Sequence, residues 1–348
     1  MIRKFLLFFT TLFFLLIIYS GCQQKSFYQR SEQASESYEP RWVKNVKVIN
    51  YNTIGDSWQY YRSAPQKVIV AGENLLETFV ALGIEDNILL PIGYNGYFFE
   101  PDACYAARYA KLPVQKGIHL TKEKVLEMQP DLIVGGQVLF ANDALSSTDF
   151  WNERNIHTYC SSNANSPTDS KHQETVEGEF EFISGLGKIY GREAAARLLI
   201  DDMRLKLQTF QQAVHNRVGP RVLIVEDLGS IFVTYGRNKL AGDICGRLNG
   251  RVLGSGATIG LEDLLRLDPD VLFVVKSDGN PEQAAEWFRR LPVLRNCSCV
   301  KNNRVYGIAL SYTYNSAVKT GEGISILASG MYPDLSKELN SRYCENKT

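Results

Sequence analysis

One combination of apolar and polar positions occurs twice along this chain. Residues 120–134, LTKEKVLEMQPDLIV, and residues 259–275, IGLEDLLRLDPDVLFVV, both begin with a charged helix start. Each then runs through apolar residues at helical spacing to Pro-Asp and a short apolar β-type run. In the first copy Glu123 opens the helix, Val125, Leu126 and Met128 supply its buried side, and Pro130-Asp131 closes it. In the second, Glu262 opens, Leu264, Leu265 and Leu267 are buried, and Pro269-Asp270 closes. Proline has no amide proton and biases the residue before it away from the helical region, so both helices stop there. The runs 132–134 and 271–275 then read as buried parallel strands. Two αβ units in the same order, far apart in sequence, predict two similar lobes rather than one sheet.

The same patterning extends to the rest of the chain. Residues 46–52 and 54–62 read as a hairpin leading into the first lobe. Residues 67–71 form a short buried strand, followed by Gly72-Glu73-Asn74 and by Leu75, Leu76, Phe79, Val80 and Leu82 at helical spacing up to Gly83. The N-terminus of that helix presents free backbone N–H groups at a strand end. After a strand at 88–93 comes a loop dense in aromatics, Tyr94, Tyr97, Phe98, Phe99, Tyr105 and Tyr109, and Phe150-Trp151 precede a strand at 155–159. Residues 192–214 give an uninterrupted helical pattern on the order of 30 Å long, enough to cross from one lobe to another. In the second half, 221–225, 231–234 and 304–308 read as strands. Tyr235-Gly236-Arg237 forms a turn, and Ser311-Tyr312-Thr313-Tyr314 an aromatic loop.

The amino terminus carries different information. Arg3-Lys4 precede an apolar run at 5–18 that is short for a membrane span and ends in small residues directly before Cys22. That is the layout of an export signal, residues 1–21. Its ending resembles a bacterial lipobox, which would make Cys22 the lipidated mature terminus. Residues 22–45 then read as a flexible tether, 46–190 as an N-terminal lobe, 191–217 as the inter-lobe helix and 218–348 as a C-terminal lobe. Lys plus Arg and Asp plus Glu both number 38, and no basic run is present, so nucleic acid is not an expected partner. The four histidines show no metal-ligand spacing, and no second pair accompanies Cys297 and Cys299 at zinc-site spacing.

The β-turn-α unit at 68–83, the two Glu…Pro-Asp units and the single long connecting helix together resemble the substrate-binding proteins of ABC importers for iron–siderophore complexes, haem and cobalamin. The resemblance covers roughly residues 67–333. It implies an α/β fold of two Rossmann-like lobes joined by one long α-helix, with the ligand in the cleft between them. It further implies a monomer at the cell envelope, extracytoplasmic and held to the membrane through Cys22. Its partners would be an ABC permease dimer with its ATPase, docked through Glu123 and Glu262. The expected cargo is a metal chelate, a ferric siderophore first and cobalamin or haem next, with no resident cofactor, metal or catalytic residue. A bare metal-ion binding protein, or an exported α/β enzyme or scaffold that kept the fold, are the alternatives.

In open α/β lobes ligands meet the loops at the carboxyl ends of strands. Those loops contain Glu73, Asn74, Tyr94, Tyr97, Phe98 and Trp151 in the first half, and Tyr235, Arg237, Tyr312 and Tyr314 in the second. Aromatic faces suit a bulky chelate or macrocycle, and Arg237 suits a negative charge on it. Ser316 to Gly321 contains S-x-x-K and K-T-G, but the two share Lys319, whereas the enzymes with those signatures need two separate segments.

Overall fold

The computed structural model describes residues 38–163, 173–229 and 231–336. The export signal, Cys22, the tether up to Ser37, His172 and Cys344 lie outside the described residues. Strand β1 (Arg41–Ile49) pairs antiparallel with β2 (Asn52–Tyr61). The folded chain therefore begins inside the stretch assigned to the tether, which corrects its boundary at residue 45. The physical reason is burial. Val43, Val46 and Val48 face the first lobe, and Asn45 binds the edge of its sheet, donating to the Thr158 carbonyl at 2.8 Å and accepting the Cys160 N–H at 2.9 Å. The hairpin amides thus satisfy backbone groups that an edge strand would otherwise leave open.

The first sheet consists of β3 (Val68–Ala71), β4 (Ile88–Gly93), β5 (Gln115–Lys116), β6 (Leu132–Val134) and β7 (His157–Tyr159). Its order is β5-β4-β3-β6-β7, all parallel. The second contains β8 (Arg221–Asp227), β9 (Phe232–Thr234), β10 (Arg251–Val252), β11 (Thr258–Ile259), β12 (Val271–Lys276) and β13 (Val305–Ala309). Its order is β11-β9-β8-β12-β13, with β10 also on β8 and with β9 and β11 antiparallel. Besides the β1–β2 hairpin the molecule is therefore α/β with two separate larger sheets, as the duplicated pattern predicted.

Pro-Asp has the same task in both copies. The Asp131 carboxylate accepts the N–H groups of Gln66 (2.7 Å) and Lys67 (3.0 Å) at the start of β3. Asp270 accepts the Arg221 N–H (2.7 Å) at the start of β8. Each aspartate anchors the central strand of its sheet to the incoming neighbour. The preceding helices are less buried than their patterns predicted. In Lys122–Met128 only Val125 is buried, and Leu126 and Met128 are exposed, because a helix this short turns just one residue onto the sheet. In Leu261–Leu267, Leu264 is buried and Leu265 and Leu267 are only partly covered.

Helix α1 (Glu73–Leu82) follows β3, and α2 is Lys122–Met128. Two longer helices, α3 (Val176–Tyr190) and α4 (Glu193–Val214), join the lobes. At 22 residues, α4 spans about 33 Å. Helix α3, placed by sequence in the first lobe, instead touches both. Its Val176 N–H donates to Asp243 of the second lobe at 3.0 Å, and Tyr190 packs edge-on against Phe79 of α1, 5.7 Å between centroids. The connection is thus a helical hairpin. It closes tightly because Gly187 lets α4 approach: a Cβ there would sit 2.6 Å from that of Ala196.

The second lobe adds α5 (Leu240–Arg247), α6 (Leu261–Leu267) and α7 (Thr320–Met331). The segment between β13 and α7 packs back on the first lobe. Asn74 of α1 donates to the Ser311 (3.0 Å) and Asn315 (3.2 Å) carbonyls, and the Ala317 N–H donates to Glu179 of α3 at 2.6 Å. One apolar core consequently runs from Val70 and Phe79 through Ile183, Leu199 and Phe210 to Val222, Phe273 and Leu327.

Candidate ligand cleft between the lobes

Backbone geometry at the end of β3 positions the first cleft wall. Gly72 has φ 126°, in a region L side chains rarely adopt, and a Cβ there would lie 3.6 Å from the Tyr94 ring. The chain therefore turns directly into α1 and buries Glu73 at its first position. The Glu73 Oε1 accepts the Tyr94 N–H at 3.0 Å and lies 3.8 Å from the Lys116 ammonium. Desolvation pushes the Glu73 pKa up, opposed by backbone N–H donors and by Lys116. Gly93 makes room for this carboxylate, since a Cβ there would stand 2.8 Å from Oε1.

Tyr94 is 37% exposed, yet burial pushes its hydroxyl up to about 12. Tyr97 packs edge-on against it, 6.0 Å between centroids. Burial raises the Tyr97 hydroxyl further, helped by the charges of Glu73 and of Glu226 from the opposite lobe. The Phe98 N–H donates to the Ser277 carbonyl at 3.0 Å, and Tyr97 bridges to Asp278, so this loop crosses to the strand-end loop after β12.

The second wall grows from the carboxyl end of β8. Glu226 stands there, with its Oε2 accepting the Tyr235 hydroxyl at 2.8 Å. Burial pushes the Tyr235 and Tyr314 hydroxyls well up, and Glu226 adds to both; Tyr314 also feels Tyr94. The Tyr94–Tyr97 pair of the first lobe thus meets the strand ends of the second through Asp278, where Glu226 holds the buried Tyr235. Sequence reasoning missed Glu226. Its signal was an acid terminating the apolar run 222–225 at a strand's carboxyl end.

Other expected contacts lie elsewhere. Trp151 is fully buried and donates from Nε1 to the Leu145 carbonyl at 2.7 Å. It sits on the outer face of the first sheet with Phe140, Leu145 and Ile156, because its short helix packs flat on that face. The Arg237 guanidinium lies along α5, where a Cβ on Gly246 would be 2.6 Å from it, rather than in the cleft. Asn74 is committed to the carbonyls of Ser311 and Asn315. Tyr312 belongs to a separate cluster, its ring 5.7 Å from the Lys319 ammonium.

A groove of about 680 Å³ lies elsewhere again, between the hairpin and helices α3 and α4, lined by Trp42, Trp58, Phe180 and Arg197 among others. Its walls include no residue of the second lobe, so it is not the cleft between strand ends. Among the described residues no group of three or more His, Cys, Asp or Glu side chains is placed to hold a metal ion. Cys104, Cys160, Cys245, Cys297 and Cys299 are free thiols.

The family model described as periplasmic binding protein matches residues 68–310, from the first strand of the first sheet to the strand-end segment after β13. This chain is a periplasmic binding protein. A periplasmic binding protein from Veillonella parvula has a similar structure, with TM-score 0.74 and 27% identity over 86% of this chain and 93% of that one. A protein of the Fe3+-hydroxamate transport system of Saccharomonospora viridis matches with TM-score 0.66 and 18% identity over 82% and 98%. The haem-binding protein RhuT from Roseiflexus, in its apo form, matches with TM-score 0.58 and 15% identity over 78% and 99%. A search of curated protein sequences returns no match. Members of the family bind substrates for transport and are not enzymes. No described helix is long and apolar enough to cross a membrane.

Proposed function

We propose that this periplasmic binding protein captures a ferric siderophore between its lobes and hands it to an ABC permease powered by an ATPase. The observation that carries the reading is the meeting of tyrosine-bearing strand-end loops from the two lobes, Tyr94 and Tyr97 bridging to Asp278 and Tyr235 on Glu226. Such rings give a bulky chelate wide apolar contact at small entropic cost, with hydroxyls to orient it. The Saccharomonospora relative, named for ferric hydroxamate transport, supports the siderophore class; the Roseiflexus relative keeps haem in the panel, with cobalamin beside it. Glu123 and Glu262, both exposed in the first turns of α2 and α6, are proposed as the docking points for the permease. Cys22 is proposed as the lipidated residue that keeps a monomeric receptor at the cell envelope.

The experiment is a thermal-shift and calorimetric screen of the purified full chain against ferric hydroxamates, ferric catecholates, haemin and cobalamin. One class should raise the melting temperature in a concentration-dependent way and bind with one-to-one stoichiometry. A blank across the panel would remove the chelate from the reading. Mass spectrometry of the membrane-extracted protein tests the anchor, which requires a diacylglyceryl mass on Cys22 that Cys22→Ser abolishes.

A further inference from the structure

The charges around the cleft are arranged with one sign left over. Lys276, next to the strand end, is held by Asp227 (3.3 Å) and Asp278 (3.5 Å). Lys116 stands beside Glu73 at 3.8 Å, and Arg237 lies along α5. Among the described residues, none of these cations pairs with Glu226, whose hydrogen bond is the neutral one from Tyr235. Glu226 is also half-buried rather than open to bulk water, so its charge is only partly screened.

The surroundings of Glu226 are aromatic. Its carboxylate accepts the Tyr235 hydroxyl, its sheet neighbour is Val275, and three residues beyond, Asp278 bridges to Tyr97, which packs edge-on against Tyr94. With an ordinary phenol pKa of about 10, all four hydroxyls are protonated at neutral pH, so the rings are neutral, electron-rich faces and supply no phenolate. Aromatic faces attract a cation through their quadrupoles, and a carboxylate among them supplies the counter-charge and a hydrogen-bond acceptor. An anionic cargo would meet the reverse, a carboxylate without an intervening cation.

We propose that Glu226, framed by Tyr94, Tyr97, Tyr235 and Tyr314, is a specificity-determining residue that selects chelates carrying a free ammonium group. A ferric trihydroxamate with an amine arm is the fitting class. Tri-anionic catecholate complexes and haem, with its two propionates, are disfavoured by the same carboxylate. This inference rests on the chelate reading above and narrows it.

The test compares two probes that differ by one charge, a ferric trihydroxamate bearing a free ammonium group and its N-acetylated form. Calorimetry on the full chain in detergent should show the ammonium form binding about tenfold tighter, a preference that shrinks with added salt. In Glu226→Gln the two probes should bind within about twofold of each other, the loss falling on the ammonium form. If the wild-type protein binds both equally, the inference is overturned and the chelate reading stands. If neither probe nor any other chelate of the panel binds, both fall. Should Glu226→Gln not fold, Glu226→Asp and the two-probe comparison on wild type decide the matter.

Discussion

Glu77 of α1 and Lys319, at the threshold of α7, form an ion pair at 3.3 Å with both side chains almost completely buried. The first belongs to the first lobe and the second to the last segment of the chain, so the pair fastens the two lobes beneath the cleft. Lys319 also lies 2.8 Å from Glu322 and 5.4 Å from the Phe99 ring centroid. A buried pair of this kind contributes little net stability compared with apolar residues, but a broken one leaves a charge with no solvent. Lys319→Met alone should therefore cost about 3–5 kcal/mol in urea unfolding. Combining it with Glu77→Leu should recover most of that loss, and equal instability of the double variant would contradict this account.

A second pair, Lys239 and Glu174 at 2.5 Å, is equally buried and gives the protein a distinctive pH response. Burial pushes both Glu77 and Glu174 up to about 7, against the pull of their lysines. A carboxyl that holds its proton more tightly folded than unfolded stabilises the fold in acid. That contribution is complete below the ordinary carboxylate range and is lost as pH rises through about 7. Between about pH 5 and about pH 7.5, the wild-type melting temperature should fall relative to that of the Glu77→Gln/Glu174→Gln variant. Parallel curves for the two proteins would refute the assignment.

Tyr97 and Trp151 separate cleft from core. If Tyr97 meets the cargo, Tyr97→Ala should weaken cargo binding at least about tenfold, with a stability loss of under about 1.5 kcal/mol, because its ring is only partly buried. Trp151→Ala opens a cavity in the closed cluster around Phe140 and Leu145 and removes the indole donor from the Leu145 carbonyl. It should cost about 3–5 kcal/mol, with little effect on the affinity of the fraction that remains folded. Calorimetry together with chemical unfolding distinguishes the two outcomes.

These corrections show what the sequence makes legible. Two lobes follow from the repeated Pro-Asp units, since proline stops a helix by local sterics and Asp131 and Asp270 bind backbone directly ahead of each central strand. The strand-end positions of Tyr94, Tyr97, Tyr235 and Tyr314 were legible because such loops are fixed by topology. Trp151 and Arg237 were misplaced because loop position does not say which way a side chain turns. Glu77 and Lys319 went unnoticed as a pair because their contact depends on a long-range docking of one lobe's tail on the other. Helix α3 gave an apolar face that reads the same whether it covers one lobe or two.

Glu123 and Glu262 are both exposed in the first turns of their helices. At α2 the cap is Thr121, whose hydroxyl accepts the Lys124 N–H at 3.4 Å. At α6 the N-cap is Gly260, whose N–H donates to Asp263 at 3.1 Å. The exposed Glu123 carboxyl is held below its usual range by hydrogen bonds from its own backbone N–H and from the Thr121 hydroxyl. If both glutamates meet arginines of a permease, Glu123→Ala and Glu262→Ala should each reduce cargo uptake by cells at least about tenfold, while stability changes by less than about 1 kcal/mol. Cargo affinity of the purified variants should stay within about twofold of wild type, because neither residue lines the cleft. Uptake assays alongside calorimetry decide it: unimpaired uptake by both single variants and by the double variant would remove these residues from the docking surface.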